Sequence, residues 1–369
     1  KSTLKKSVIK IEDGIYDVSA LGSFGLFPKL IRGISLISSI RQITKIKPLL
    51  VISYNQNSLF MIGLLIICKL MRIFYISDCS EWYEGEGNII KRSIKNVDTY
   101  IRMRILNPNT DGIIAISKYL FEFYLRKVNS VLIPPLVDSK ENKWSNSIGN
   151  SAFEARNEEL EIVYAGSPGR GRKDKLDLII KVLAKCKEND CPPFLLTIIG
   201  LSKEEVIRYF FVKNEIDMLD SSIRFFSRMN HLQVLEKLKK ADYTILIREK
   251  TRLTMAGFPT KIVESISCKI PVITNLHSNI VDYLIDGHNS VIISDDMDEA
   301  YIRIKDIIFK GKGYSLELKR RLHSNCLFDY RNYYGTVQAF LETLEKTKKR
   351  GKHEESNVTY DKARKIERS

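Results

Sequence analysis

"GFPTKIVESISCKIPVIT", Gly257 to Thr274, sets a Gly-Phe-Pro-Thr turn, a lysine and a glutamate ahead of a short apolar strand. Proline has no N–H and a fixed φ, so Gly257-Phe258-Pro259 reads as a tight turn and the helix after it begins near Thr260. Glu264 follows Lys261 by three residues and shares its helical face. A turn, a helix start, a fixed cation and a carboxylate in this order suit an anionic ligand that also carries hydroxyls. The plainer alternative is a helix salt bridge between Lys261 and Glu264.

Outward from this stretch, short β-rich runs alternate with helical patterns. "EIVYAG" (161–166), "KLDLIIKVLAKCKEN", "FLLTIIG" (194–200), "IRFFS", "HLQVLEKLKKA" and "YTILI" precede it, and "SVIIS" follows. An earlier series runs "LLVISY" (49–54), an apolar helix over 58–70, "IFYIS" (73–77), "GIIAIS" (112–117), "KYLFEFYLRKV" and "VLIPP". This alternation predicts α/β units, each a parallel sheet wrapped by helices. At 369 residues the chain is too long for one ordinary core. The expected division is a first domain over 1–140, a polar linker over 141–160 and a second domain over 161–325. A terminal helix over 326–345 packs back across the lobes, and 346–369 form a disordered tail with nine Lys/Arg against four Asp/Glu. Ligands of open parallel sheets bind at strand carboxyl ends, and the cleft between two lobes is the default site.

Hydrophobic residues make up 44% of the chain, as in a globular protein, and the net charge is +15. That charge suits nucleic acid, an anionic membrane or negatively charged small substrates. The six cysteines are scattered, which points to reduced core residues in a cytoplasmic protein. In Leu59 to Ile76, Lys69 and Arg72 leave about ten uninterrupted apolar residues where a membrane span needs roughly twenty. The chain starts at Lys1 with no signal-peptide pattern and reads as a fragment or a trimmed protein.

Candidate anion-binding cations gather at strand ends. In "YAGSPGRGRKDKLD" a strand closes at Gly166, a small-residue loop carries Arg170, Arg172 and Lys173, and a helix starts near Lys173-Asp174. A solvated basic loop fits that stretch equally well, and the G-K-[ST] ending of a Walker loop is missing. In "ILIREKTRLTMAGFPTKIVES", Arg248 follows a strand, Arg252 lies in the next loop and Lys261 at the helix start. Backbone amides and guanidinium forks there would hold a diphosphate. "SDDMDE" (294–299) reads as a helix cap, and the five histidines share no ligand spacing, so no metal is expected.

The order "YAG…KD…LLTIIG…ADYTILIR…AGFPTKIVESISCKIPVIT…YLIDGHNS" resembles the donor half of the GT4-type retaining glycosyltransferases, in the bacterial polysaccharide branch with a GFPTK motif. The resemblance is strong over roughly 162–344 and looser over "YISDCSEWYE", "GIIAISKYL" and "VLIPPLVD". It implies a GT-B fold, two Rossmann-like α/β domains facing across a cleft. It also implies a metal-independent hexosyltransferase-like enzyme that uses a nucleotide-diphosphate sugar, UDP- or GDP-linked, with no further cofactor. Glu264 matches the ribose-binding second glutamate of the family's E-x7-E signature. Backbone amides in the stretch Gly257 to Thr260, whose turn holds Phe258 and Pro259, would meet the sugar and β-phosphate. Lys173 and Arg248 would neutralise the leaving diphosphate, backed by Lys261 and Arg252. Ala256 stands where many members carry the first glutamate, which leaves sugar specificity open.

In the first half, Asp78 and Glu81 follow a strand and could orient an acceptor or act as acid/base groups, or simply cap and pair. Ser117 reads as a helix N-cap whose amide could also line the cleft. No glycine-rich loop follows an opening strand. Residues 29–45 combine an apolar stripe with Lys29, Arg32, Arg41 and Lys45. They suit either docking on the inner face of the plasma membrane or an ordinary helix with a solvated basic face. The acceptor implied is a glycan or lipid-linked intermediate of capsule or O-antigen, and nucleic acid is not an expected partner. An epimerase or hydrolase of nucleotide sugars and a degenerate binding protein are the rival readings.

Overall fold

A computed structural model describes residues 8–12, 15–18, 28–85, 87–145, 159–166, 173–323 and 326–347. The described residues fall into two units. One contains Lys1–Ile116, Leu120–Leu132 and Thr336–Ser369, the other Ser117–Tyr119 and Ile133–Gly335. Arg170, Arg172, residues 19–27 and residues 348–369, where a disordered tail was expected, lie outside the described residues.

The first unit holds a four-stranded parallel sheet in the order β3 (Leu50–Tyr54), β4 (Phe74–Cys79), β5 (Gly112–Ala115), β6 (Ser130–Leu132). A separate antiparallel pair, β1 (Val8–Glu12) and β2 (Ile15–Val18), was not foreseen from the sequence. Helix α1 (Pro28–Ile46) lays Ile43, with Leu36 beside it, against Phe60, Leu64 and Cys68 of α2 (Ser58–Met71). Leu36 and Ile43 are thus used in packing, while Ile37 of the same helix is 53% exposed. α2 is capped at its start by Asn57, whose side chain accepts the Phe60 N–H at 3.0 Å. No described helix is long and apolar enough to cross a membrane.

α3 (Ile89–Ile101) runs into a π-turn at Arg102–Leu106, and α4 (Lys118–Tyr124) follows β5. The helix over 334–347, α12, belongs to this first unit. Phe340 and Leu344 of α12 lie over Gly112, where a Cβ would come within 2.7 Å of the Phe340 ring.

The second unit is a six-stranded parallel sheet in the order β12-β11-β10-β7-β8-β9. In chain order these are β7 (Leu160–Ala165), β8 (Phe194–Ile199), β9 (Ile223–Phe226), β10 (Tyr243–Leu246), β11 (Val272–Thr274) and β12 (Ser290–Ile292). Strands buried on both faces read as continuous apolar runs, and every residue of β8 is buried. The helices between them are α5 (Leu176–Glu188), α6 (Lys203–Phe210), α7 (Lys213–Leu219), α8 (His231–Lys240), α9 (Arg252–Ala256) and α10 (Thr260–Ser267). α11 (Met297–His323) closes the series, broken at Gly311 where φ is 59°. Asp296 caps α11 by accepting the N–H groups of Asp298 and Glu299 at 3.0 and 3.1 Å.

Two boundaries differ from the sequence reading. The expected linker starts as folded chain: Asn142–Trp144 form a 3-10 turn, and Trp144 is buried with Val163, Ile199 and Leu235. α5 starts at Leu176 and not near Lys173-Asp174. Asp174 instead forms a β-bridge with Arg248, and the Lys175 N–H donates to Ile247 O at 2.8 Å.

Replacing Phe340 by Ala removes a buried ring from the α12 seam. The expected loss is about 3 kcal/mol of unfolding free energy in a urea titration. A loss below about 1 kcal/mol would show that α12 does not stabilise this sheet.

Candidate functional site

The second sheet reverses direction between β7 and β10. From β7 the chain steps to β8 and β9, then returns to pair β10 on the other side of β7. Side chains at the carboxyl ends of these two strands converge in a crevice, the usual ligand position of open α/β sheets. β7 ends at Gly166, with φ 127°, and β10 leads through Ile247 to Arg248.

Asp174 is the centre of this region. It is 1% exposed and accepts from Lys261 Nζ, from Arg248 Nε at 2.8 Å and from the Tyr164 hydroxyl at 2.8 Å. Lys261 Nζ also lies 3.2 Å from the Tyr164 oxygen and 4.5 Å from its ring centroid. Burial pushes the Asp174 carboxyl up, but Lys261 and Arg248 outweigh it and hold the group below the ordinary carboxylate range. Burial draws the Lys261 ammonium down against Asp174, and Arg248 adds to that pull. Two cations share one carboxylate, so the cluster carries excess positive charge.

The backbone fixes this cluster. Asn275, just after β11, accepts the Arg248 N–H at 2.9 Å and donates to the Arg248 carbonyl at 2.7 Å. A Cβ on Gly166 would approach Lys261 Cε to 2.4 Å, so the lysine crosses over a position that only glycine fills without displacement.

α10 begins after Pro259 with no side-chain cap. Pro259 has no N–H, so the amides available from Gly257 to Thr260 are those of Gly257, Phe258 and Thr260. The Phe258 side chain is not turned to a ligand. It is buried edge-on against Tyr283 and Phe328, at 5.6 and 5.8 Å between centroids. Glu264 is half-buried and meets His231 Nε2 at 3.2 Å. Lys261 has turned to Asp174, so the helix pair with Glu264 weighed from the sequence gives way to two separate partners. Ala256 is fully buried, and its carbonyl accepts the Ser117 hydroxyl at 2.8 Å. Ser117 clusters with this second unit, and the neighbouring Lys118 N–H donates to Asn279 Oδ1 at 3.2 Å. Lys173 is half-buried and Arg252 exposed. His277 is buried and drawn down to about 4 by that burial; its Nδ1 lies 2.9 Å from Asn275 O.

In the first unit Asp78 sits near the carboxyl end of β4, paired in register with Tyr54 and Ile114. Burial raises its carboxyl to about 6. Glu81 is half-buried beyond it. No group of three or more metal-ligating side chains occurs among the described residues.

Residues 152–325, which contain the Asp174 cluster, the α10 turn and Glu264, match the family model for glycosyl transferases group 1. This domain belongs to the group 1 glycosyltransferases. A search of curated proteins gives no match. Among solved structures, the chain resembles sucrose-phosphate synthase from Thermosynechococcus elongatus, with TM-score 0.66 and 14% identity over 92% of this chain and 86% of that one. It also resembles Anabaena HepE in complex with UDP (TM-score 0.59, 15% identity, 84% and 82% covered). A glycosyltransferase from Rickettsia africae ESF-5 is similar to the same degree (0.59, 14%, 84% and 80%). At such identities the likeness establishes fold, which is GT-B with two Rossmann-like domains. The protein is a glycosyltransferase.

Sequence reasoning singled out Arg248, Lys261 and Glu264 as candidates but not the side chains they meet. Asp174 was visible only as one acid among the cations of "RGRKDK". Tyr164 looked like an ordinary strand residue, and His231 and Asn275 gave no signal, because their partners are distant in sequence.

Asp174→Asn in this transferase domain leaves two buried cations without their carboxylate and is expected to cost about 3–5 kcal/mol at neutral pH. Its folded pKa is depressed. The contribution is therefore present above the unfolded carboxylate value of about 4 and is lost as pH falls through the lower folded value. Urea unfolding of the pair should give a constant difference between about pH 5 and 8 that shrinks below about pH 4. A difference below about 1 kcal/mol at neutral pH would remove Asp174 from this role.

Proposed function

We propose that this glycosyltransferase moves a sugar from a UDP- or GDP-sugar to a glycan or lipid-linked acceptor, with retention of configuration. The product belongs to a cell-surface polysaccharide such as capsule or O-antigen. The observation that carries the reading is the excess positive charge of the Asp174 cluster at the β7–β10 reversal of a group 1 domain, one helical turn from Glu264.

Each proposed role follows from charge and geometry. As the glycosidic bond breaks, negative charge builds on the leaving diphosphate, and fixed cations lower that barrier. Lys173 and Arg248 carry this role, with Arg170, Arg172, Arg252 and Lys261 around them. The amides at Gly257, Phe258 and Thr260 meet the sugar and β-phosphate, beside the closing glycine of β7, Gly166. Glu264 accepts from the ribose diol; a carboxylate takes up to about four hydrogen bonds, so its contact with His231 leaves capacity for both hydroxyls. Because Ala256 is buried, sugar selection rests on other groups. Asp78 acts as general base toward the acceptor hydroxyl, with Glu81 and Ser117 as further acceptor-side residues. The reading invokes no resident cofactor or metal, and it places the reaction in the cytoplasm at the inner face of the plasma membrane.

A calorimetric panel of nucleoside diphosphates tests the donor half. UDP or GDP should bind, and Glu264→Ala and Lys173→Ala should each weaken binding about tenfold, or about 1.4 kcal/mol. No binding by any nucleoside diphosphate, or unaltered binding by both variants, would overturn the donor site.

Asp78 is tested by rate. Asp78→Asn should lower kcat by about 10²- to 10⁴-fold while leaving donor affinity unchanged. A base must be ionised, so the wild-type rate should rise as pH rises through about 6. An unchanged rate in the variant would leave Asp78 a structural residue.

A further inference from the structure

Lys261 and Glu264 share one face of α10, yet different elements take them. Lys261 reaches Asp174, beyond β7, while Glu264 Oε1 meets Nε2 of His231, the first residue of α8, at 3.2 Å. The partner of the ammonium belongs to the β7–β10 crevice, and the partner of the carboxylate follows β9 at the sheet edge. One helical face is thereby split into a cationic end and an accepting end. A carboxylate only accepts, so the His231 nitrogen that faces it carries a proton and donates. That contact uses one of about four acceptor positions on Glu264.

A half-exposed pair of this kind contributes little to stability by itself. What sets this one apart is how His231 is held. Its helix start is locked by Asn230, which accepts the Gln233 N–H at 3.0 Å, while its own N–H donates to Gln233 Oε1 at 3.2 Å. The imidazole lies edge-on to Trp144, with 6.2 Å between ring centroids. Trp144 is buried with Leu235 of α8, Val163 of β7 and Ile199 of β8, so the wall behind the imidazole is core. Glu264, by contrast, has a side chain rich in rotamers, and ordering it only when a ligand arrives would subtract from affinity.

We propose that His231 is a positioning residue for the ribose of the bound nucleotide. It holds the Glu264 carboxylate ready to accept from a cis-diol, and so makes the site select ribonucleotides over deoxyribonucleotides. This role rests on the ribose contact proposed for Glu264 and adds the group that aims the carboxylate. The selectivity has a physical cause. When one hydroxyl is missing, a fixed carboxylate keeps an oxygen desolvated and without a donor. A carboxylate free to swing can turn that oxygen back to water and discriminates less.

Calorimetry with UDP and GDP, and with their 2′-deoxy and 3′-deoxy forms, tests the assignment. The wild type should bind the ribonucleotide it accepts about tenfold tighter than a deoxy form, as expected for a hydrogen bond to a charged group. Glu264→Ala should abolish that preference. His231→Ala should lower it to about threefold or less, because the carboxylate is no longer preorganised. In His231→Gln an amide can donate to the same carboxylate, and the preference should return to at least about fivefold. A variant that is merely less well folded binds every nucleotide more weakly and leaves the ratio unmoved. A wild-type ratio in His231→Ala, with the preference abolished in Glu264→Ala, would overturn the role of His231 alone. A wild type without ribose preference, or a preference retained in Glu264→Ala, would remove the ribose contact of Glu264 and this role with it.

Discussion

A single buried carboxylate, Asp174, organises the transferase domain's crevice. Lys261, Arg248 and Tyr164 come from a helix start, a strand exit and the carboxyl end of a strand, and all three bond it. An ammonium or guanidinium in a poorly hydrated site needs a counter-charge, and one carboxylate for two cations supplies it only in part. The cluster keeps an excess of positive charge, and the shared carboxylate fixes where both cations lie. Preorganised charge of this kind does not reorganise at the moment of reaction.

The sheet topology makes that cluster possible. Because β10 returns to pair with β7, Asp174 can bridge to Arg248 although the two lie far apart in the chain. Gly166 then becomes a requirement of space: its missing Cβ is the room through which Lys261 passes. Gly200, with φ 105°, backs this position, since a Cβ there would lie 3.1 Å from the Gly166 carbonyl oxygen. Asn275 binds both backbone polar groups of Arg248 and so extends the same constraint to β11.

The first domain follows a different physical rule at its surface. Its strands end in a carboxyl, Asp78, raised by burial, and α12 closes over β5 through Phe340 and Leu344. α3 is held by its polar residues, with Asp98 anchored to the first turn of α2. That anchoring rotates the helix so that Ile90, Ile94 and Val97 have no protein partner in their own sheet.

Local pattern was enough to read the alternation of strands and helices, because apolar runs such as "FLLTII" and the turn "GFPT" express their structure within a few residues. It also drew Arg248, Lys261 and Glu264 as candidates, since a strand end followed by a helix start is a local feature. Where each side chain points was decided by tertiary structure. Lys261 had two acids within reach, Glu264 one turn away and Asp174 distant in sequence. It takes Asp174, because the β7–β10 pairing brings that buried carboxylate beneath it while His231 occupies Glu264. The apolar residues of α1 suited packing and membrane docking alike as a sequence periodicity, and α3 was not read from the sequence at all. Packing buries Ile43 of α1 and leaves Ile37 exposed, and the Ser58–Asp98 bonds fix which side of α3 faces in.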